Sequence, residues 1–423
     1  MSNLDLTSKK VMPLFSSKIN FHFLLILMLL ILDSSFLSLI DTNSINFFGI
    51  SYLDIFMLIK LGVVFFYFLS YYKKMRARIL GTSILCFALL ITSSYAANKS
   101  FGQSFVETIV AQRYWASSVF CFIPILIMLK KKQLTVQQVI KASYIVSTLI
   151  VAIGIVQFIL RDTIDFTHTM NENSERFGEA RYYFEYSLVC LTGLHSFGCL
   201  FKKYSLKHFV YWLFVIIFLV VVCKYRMTSI AFIIGSFSII LLPKINLRRK
   251  LTFVVFFALF FVLFLNTSFG KDIVVNIFDR ENSLTNTLEV RELGRTYYFD
   301  FLLSSFDRFL FGSGVANIHN NNAQIISGST SGFFVEDNGL FGITFEYGLF
   351  GLVASLIIYC ILFVKSIKVA KRNKTFWCFG FLVYDMIGFV TIIPSFWRIY
   401  LTFSLFMAML VFEEQEHHEK IIS

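Results

Sequence analysis

The sequence predicts an all-α, polytopic membrane helix bundle of about twelve transmembrane helices, with a long outward (periplasmic) loop before the third-last span. Three observations carry this. Hydrophobic residues make up 57% of the 423 and charged residues only 15%, too little charge to clothe a soluble chain of this length. Apolar segments near the length of a bilayer crossing recur along the chain. Every second linker between them is strongly basic, the pattern that the positive-inside rule gives a multi-pass protein.

The apolar segments lie at 19–40, 50–72, 79–95, 111–129, 142–160, 182–201, 208–223, 227–242, 251–266, 339–364, 375–394 and 399–412. The shortest, 79–95, 208–223 and 399–412, are the weakest of the set. Phe occurs 53 times and Pro four times, which suits uninterrupted membrane helices. Lys73, Lys74, Arg76 and Arg78 follow the second segment, and Lys130 to Lys132 the fourth. Lys202, Lys203 and Lys207 follow the sixth, Lys244, Arg248, Arg249 and Lys250 the eighth. Lys365, Lys368, Lys371, Arg372 and Lys374 follow the tenth, so these linkers and both termini are expected in the cytoplasm. Lys9, Lys10 and Lys18 precede the first segment and no small-residue cleavage site follows it, which reads as a retained span. The resulting division is a cytoplasmic N-terminus (1–18), spans one to nine (19–266), a large periplasmic loop (267–338), spans ten to twelve (339–412) and a cytoplasmic tail (413–423).

A net charge of +12 would suit nucleic acid in a soluble protein. Here the basic residues cluster between apolar runs, so orientation in the membrane accounts for the excess and no nucleic acid is expected. The seven cysteines lie in or at the end of apolar runs, with no CxxC pair and no His/Cys metal spacing, so free thiols and no zinc are expected.

The 267–338 loop is too long for a plain connection and is not low-complexity, which points to function. Within it, 296–311 carries apolar groups at helical period with Asp300, Asp307 and Arg308 opposite. That pattern fits a helix lying on the membrane surface, and equally a core helix of a small folded loop domain. No internal repeat relates the two halves of the chain.

Arginine and lysine are sorted by side. About ten of fifteen arginines fall outward, against about three of 23 lysines: Arg113, Arg161, Arg176, Arg181, Arg226, Arg280, Arg291, Arg295, Arg308 and Arg398. Positive-inside bias depletes external lysine but does not explain retained external arginine. Guanidinium suits bidentate capture of phosphate and carboxylate. Anchoring to membrane lipid phosphates accounts for most of these arginines taken singly; their clustering around one long loop favours an anionic ligand.

Three stretches could carry chemistry. Lys224 to Ser229 (KYRMTS) is a tight outward turn in which Arg226 is a preorganised charge. Glu289 to Arg295 (EVRELGR) precedes the amphipathic segment and Gly312-Ser313-Gly314. Glu336-Asp337-Asn338-Gly339 opens the tenth segment, which continues into Glu346-Tyr347-Gly348-Leu349-Phe350-Gly351. Each also has a plain structural reading. Lys224 and Arg226 could be boundary anchors, and Arg291 and Arg295 could pair with Glu289 and Glu292 along one helix. Asp337 or Asn338 could cap the tenth helix, and the glycines could simply let helices approach.

Together these stretches resemble the O-antigen polymerase and ligase superfamily. Arg226-Met227-Thr228-Ser229 resembles its Ser-Arg-Thr-like element. Arg295 followed by Phe306 to Gly314 (FDRFLFGSG) is similar to its arginine, amphipathic helix and Gly-x-Gly. Asp337-Asn338 with Glu346-x-Gly348-x-x-Gly351 looks like its closing element. Ligases of the superfamily carry His-Asn where this chain has Asp337-Asn338, which favours the polymerase (Wzy-type) branch. His319 lies too far upstream, without the glycine pattern, to serve as that histidine.

The resemblance implies a glycosyltransferase of a bacterial inner membrane that joins undecaprenyl-diphosphate-linked oligosaccharides at the periplasmic face. The growing chain would leave its carrier and join the non-reducing end of a new lipid-linked unit. The glycosyl-diphosphate bond is already activated, so no cofactor and no metal are expected. A chain-length regulator and a flippase are the implied partners. In that reaction Arg226 and Arg295 would hold the diphosphate, and Asp337 would orient or deprotonate the acceptor. Arg291, Arg176, Arg181, Glu336 and Asn338 would complete the substrate site. Rival readings are an O-antigen ligase, a capsule or exopolysaccharide polymerase and, from another class, a lipid-linked oligosaccharide flippase.

Asp33, Asp54, Lys60, Glu185, His195 and Asp385 fall inside the apolar segments. A charge at mid-membrane costs about 3 kcal/mol on insertion scales, so each needs a partner or a wet cavity. Asp33 with Lys60 is one possible pair, and a structural role is the favoured reading for the set.

Overall fold

A computed structural model describes residues 20–40, 46–47, 50–71, 77–161, 163–164, 166–167, 182–242, 247–266, 281–317, 319–373, 375–391 and 400–422. In chain order the helices are α1 (Phe21–Asp33), α2 (Tyr52–Tyr71), α3 (Ala77–Phe101), α4 (Phe105–Phe120) and α5 (Phe122–Lys130). Then come α6 (Val136–Ile159), α7 (Ser187–Lys202), α8 (Leu206–Ile217), α9 (Arg226–Leu241) and α10 (Leu247–Asn266). The rest are α11 (Glu281–Leu303), α12 (Phe306–Phe311), α13 (Asn321–Ile326), α14 (Gly339–Asn373), α15 (Trp377–Thr391) and α16 (Thr402–Ile422). A two-residue hairpin, Asn46–Phe47 against Ile50–Ser51, precedes α2.

Each of the twelve apolar segments falls on one or more of these helices. Among the described residues five stretches are long and apolar enough to cross a membrane: Tyr52–Tyr71, Ser83–Phe101, Phe105–Lys130, Val136–Ile159 and Val335–Asn373. Another five apolar helices are shorter. The chain is therefore a polytopic helical bundle, and twelve crossings is a finer statement than helix length supports.

Several boundaries differ from the sequence reading, each for a local reason. The first segment stops at Asp33, because Ser35 to Ser38 all take positive φ and turn the chain. The segment 79–95, weak by sequence, belongs to the 25-residue α3. The helix expected at 296–311 is two helices: α11 ends at Leu303, and Ser305 restarts the chain by accepting the Arg308 N–H at 3.3 Å. The tenth segment is broken at Gly348 (φ +63, ψ −164), so 339–347 and 349–373 are separate helices. The last span and the tail form one helix to Ile422. Elsewhere the caps are those the sequence offers: Ser104 and Glu107 close a capping box on α4, and Thr135 and Gln138 another on α6.

The helix ends fall into two groups. At one end Asn20 bonds Gln133 O at 2.8 Å, Lys131 stacks on Tyr71 and Asn373 reaches Glu413. The described basic residues Lys130 to Lys132 and Lys365 to Arg372 lie toward this end. At the other end Tyr52 bonds Leu32 O, Arg113 pairs with Asp54 at 2.6 Å and Tyr186 stacks on Tyr225. α9 and α15 pack antiparallel through glycines: a Cβ on Gly235 would lie 2.7 Å from Gly380 O.

The charges inside the bundle are built into it. Asp33, 8% exposed, accepts the Leu401 N–H at 2.7 Å, and Lys60 donates to Ser118 Oγ at 2.7 Å. Glu185 accepts the Leu188 N–H at 3.0 Å, Tyr359 donates to Asp385 at 2.7 Å, and His195 meets Tyr144 OH at 3.0 Å. Asp33 and Lys60, suggested as a pair by sequence, lie near enough to attract each other, and each also bonds a distant segment of the chain, at Leu401 and Ser118.

Candidate functional site at the outward end

The long loop folds down onto the bundle through α11. Tyr298, fully buried, lies with its ring 4.3 Å from that of Phe345, and Leu302 is buried on the same face of α11. Gly294, one turn before Tyr298, leaves ordinary contact distance to Phe333 (3.5 Å from a Cβ placed there) and so keeps α11 close to 333–345. Leu293, Phe299 and Leu303 remain exposed on α11, as does Phe306 on α12. α11 is thus neither the core of a separate loop domain nor free of the bundle: one face packs on α14 and an apolar edge stays open.

This packing puts Arg291 and Arg295, four residues apart, over the start of α14. Arg291 Nη2 lies 3.6 Å from Asp337 Oδ2, with both side chains partly exposed. The Arg295 guanidinium sits 5.6 Å from the centre of the Phe341 ring, a cation–π contact. Both arginines therefore engage the far side of the loop.

Asp337 does not cap α14. Residues Val335–Asn338 form a 3-10 turn without a side-chain cap, and Gly339 (φ +48, ψ −115) redirects the chain before the helix begins. Glu336 beside it is exposed. Asn338 is 2% exposed; its Nδ2 donates to Phe334 O at 2.9 Å and its buried Oδ1 has no hydrogen-bond partner among the described residues. A buried amide oxygen left open is costly, which marks this turn as a place for a donor from outside the chain.

Gly312-Ser313-Gly314 joins this turn to the membrane helices. The break at Gly348 leaves the carbonyls of Phe345 and Glu346 without their helical donors, and the loop supplies them. Ser313 N–H donates to Phe345 O at 2.7 Å and Gly314 N–H to Glu346 O at 3.0 Å. The backbones approach too closely for side chains: a Cβ on Gly312 would lie 2.6 Å from Gly348 N, and one on Gly314 2.3 Å from Ala97 N. Beyond the loop, Val315 N–H donates to Ser93 Oγ, Asn317 N–H to Gln103 Oε1 and Gln103 Nε2 to Val315 O, at 2.8–3.2 Å. Tyr347 OH reaches Gln112 Oε1 at 3.3 Å, tying the same spot to α4.

The electrostatics around Tyr298 are acidic. Burial first, then the charges of Glu336, Glu346 and Asp337, push its phenol pKa well up, so it stays protonated. Among the described residues no group of three or more His, Cys, Asp or Glu side chains is arranged to hold a metal.

The residues singled out by sequence are placed unequally. Arg291, Arg295, Glu336, Asp337 and Asn338 meet at one surface. Arg226 opens α9, whose pairing of Gly235 with Gly380 sets its start beside the far end of α15; α15 also touches the 335–338 turn. Its side chain lies outside those described, as do Arg176 and Arg181 entirely. Three other outward arginines are engaged locally: Arg113 with Asp54, Arg161 on the ring of Phe158 and Arg308 on that of Phe301. Sequence reasoning missed Ser93, Gln103, Gln112, Asn317 and Tyr298, whose roles depend on partners roughly 30 to 235 positions away. Only the capping box of Ser104 and Glu107, next to Gln103, left a local signal. The surface can bind an anion on two guanidinium groups, one of them released by opening an exposed ion pair, beside carboxylate and amide oxygens suited to hydroxyl groups. No family model matches the chain, and no curated protein matches it.

Proposed function

We propose that this chain is a polysaccharide (O-antigen) polymerase. On this reading it has twelve spans, lies in a bacterial inner membrane and joins undecaprenyl-diphosphate-linked oligosaccharide units at the periplasmic face. One observation carries the reading. Two of the three stretches that resemble the polymerase and ligase superfamily, Arg295 with Phe306 to Gly314 and Asp337-Asn338 with Glu346 to Gly351, meet at one end of the bundle. Ion pairing and a backbone clamp between them would be needless if each were a local cap or anchor.

In this role Arg295 and Arg226 hold the departing diphosphate, with Arg291 joining when Asp337 is displaced. Stabilising the leaving group with fixed cations is the main demand of the reaction, since the glycosyl donor is already activated. Asn338 Oδ1 accepts from a sugar hydroxyl, Glu336 and Asp337 orient the acceptor, and Arg176 and Arg181 extend the anion-binding surface. The enzyme would work beside a flippase that delivers the lipid-linked unit and a chain-length regulator.

The test is deletion of the gene in its native host, with the surface glycan resolved on a gel. The expected result is a ladder collapsed to core plus one repeat unit, because flipping and ligation still operate. Loss of even the single repeat would overturn the reading in favour of a ligase or a flippase.

A further inference from the structure

Glu346 is an acidic side chain of the outward site that, among the described residues, has no hydrogen-bond or ion-pair partner and to which the reading above gives no role. It sits two residues before the break at Gly348 and is half-buried. Its carbonyl is taken by Gly314 N–H at 3.0 Å, but its carboxylate makes no hydrogen bond or ion pair among the described residues. Phe345 on one side is held by Ser313 and stacks on Tyr298; Tyr347 on the other is held by Gln112. The backbone carrying this carboxylate is therefore fixed on three sides, by contacts that tolerate only glycine at 312, 314 and 348. Its charged neighbour is Glu336, and the charges of Glu346, Glu336 and Asp337 all bear on the buried phenol of Tyr298.

Asp337 is placed differently. It is exposed and engaged by Arg291. Asp337 is thus already occupied by a cation, whereas among the described residues no cation or hydrogen-bond donor engages the Glu346 carboxylate, which leaves its oxygens open to an approaching hydroxyl.

We propose that Glu346, held rigid by the glycine clamp, is the general base of the transfer, while Asp337 acts with Arg291 in binding. This rests on the polymerase reading. The acceptor hydroxyl gives its proton to the Glu346 carboxylate as its oxygen forms a bond to the anomeric carbon of the growing chain. The bond from that carbon to the diphosphate oxygen breaks, and the electron pair leaves with undecaprenyl diphosphate on Arg295.

The experiment uses full-length protein in proteoliposomes, with lipid-linked repeat unit extracted from a polymerase-deletion strain. It compares wild type with E346Q, E346D and D337N, alongside complementation of the ladder in cells. The expected result is a kcat lowered about 100-fold or more in E346Q, with KM within about 3-fold and unchanged thermal stability, partial activity in E346D, and a mainly raised KM in D337N. E346Q turning over within about 3-fold of wild type would overturn the assignment and leave the polymerase reading standing. Failure of both E346Q and E346D to accumulate would also overturn it, because Glu346 would then be needed for folding alone. A wild-type gene that restores no ladder would remove the polymerase reading itself.

Discussion

The charged groups inside the bundle and those at its outward end follow opposite rules. Asp33 and Asp385 accept hydrogen bonds from distant parts of the chain, Glu185 accepts one from Leu188 in the turn it opens, and Lys60 donates one. At the outward end Asn338 Oδ1 is open, the Glu346 carboxylate is unengaged among the described residues, and Arg291 is held by one long, exposed ion pair. In an apolar interior an unmatched charge is too expensive to keep, so its partners come from the fold. At a wet surface the same groups can wait for a ligand. The difference separates polar residues that serve structure from those that serve chemistry better than residue type does.

Five substitutions test that contrast, beginning with the largest effect. Gly314→Ala places a methyl group 2.3 Å from Ala97 N at φ +78, and should destabilise the protein by more than about 3 kcal/mol and abolish the glycan ladder. Thermal unfolding in detergent reads the first effect. Gly332→Ala, at φ +79 with nothing within 4 Å of the new Cβ, isolates backbone strain and should cost only about 1 kcal/mol. If the two cost the same, the clamp is not the tight contact described here.

Tyr359→Phe removes the phenol that donates to buried Asp385 and should cost about 1–3 kcal/mol while leaving polymer length and amount unchanged in protein that accumulates. Loss of polymer at normal protein level would move Asp385 from structure to function. Arg291→Ala reverses the pattern. Its exposed pair with Asp337 contributes about 0–1 kcal/mol to stability, yet transfer activity should fall about 10-fold or more on the proposed reading. Lys99→Met breaks the exposed pair with Asp307 at 2.6 Å and should change neither melting temperature nor ladder measurably, the smallest effect of the set.

The architecture was largely legible. Apolar runs located the helices because a bilayer-length helix must be nearly all apolar, a property that each segment carries alone. Arg291, Arg295, Glu336, Asp337 and Asn338 were likewise visible as a set, because charge and glycine patterns on a long outward loop are rare. The pairing of those residues was not visible. Arg291 with Glu289 or Glu292 was an equally good local solution, and Asp337 was an equally good helix cap. The preference for an Arg291–Asp337 pair arises only when α11 packs Tyr298 against Phe345.

By itself, then, the sequence determined the class of the protein, the alternation of basic and neutral helix ends and the stretch of loop where its candidate site residues are concentrated. These follow from composition and periodicity, which act residue by residue along the chain. Tertiary structure alone decided that the helices break at Ser304-Ser305 and at Gly348, and that Gly312 and Gly314 close onto the carbonyls freed there. It also decided that Glu346 is left without a partner among the described residues. A glycine at positive φ looks the same in sequence whether it faces solvent, as Gly332 does, or another backbone, as Gly314 does; only the chain folded against it distinguishes the two.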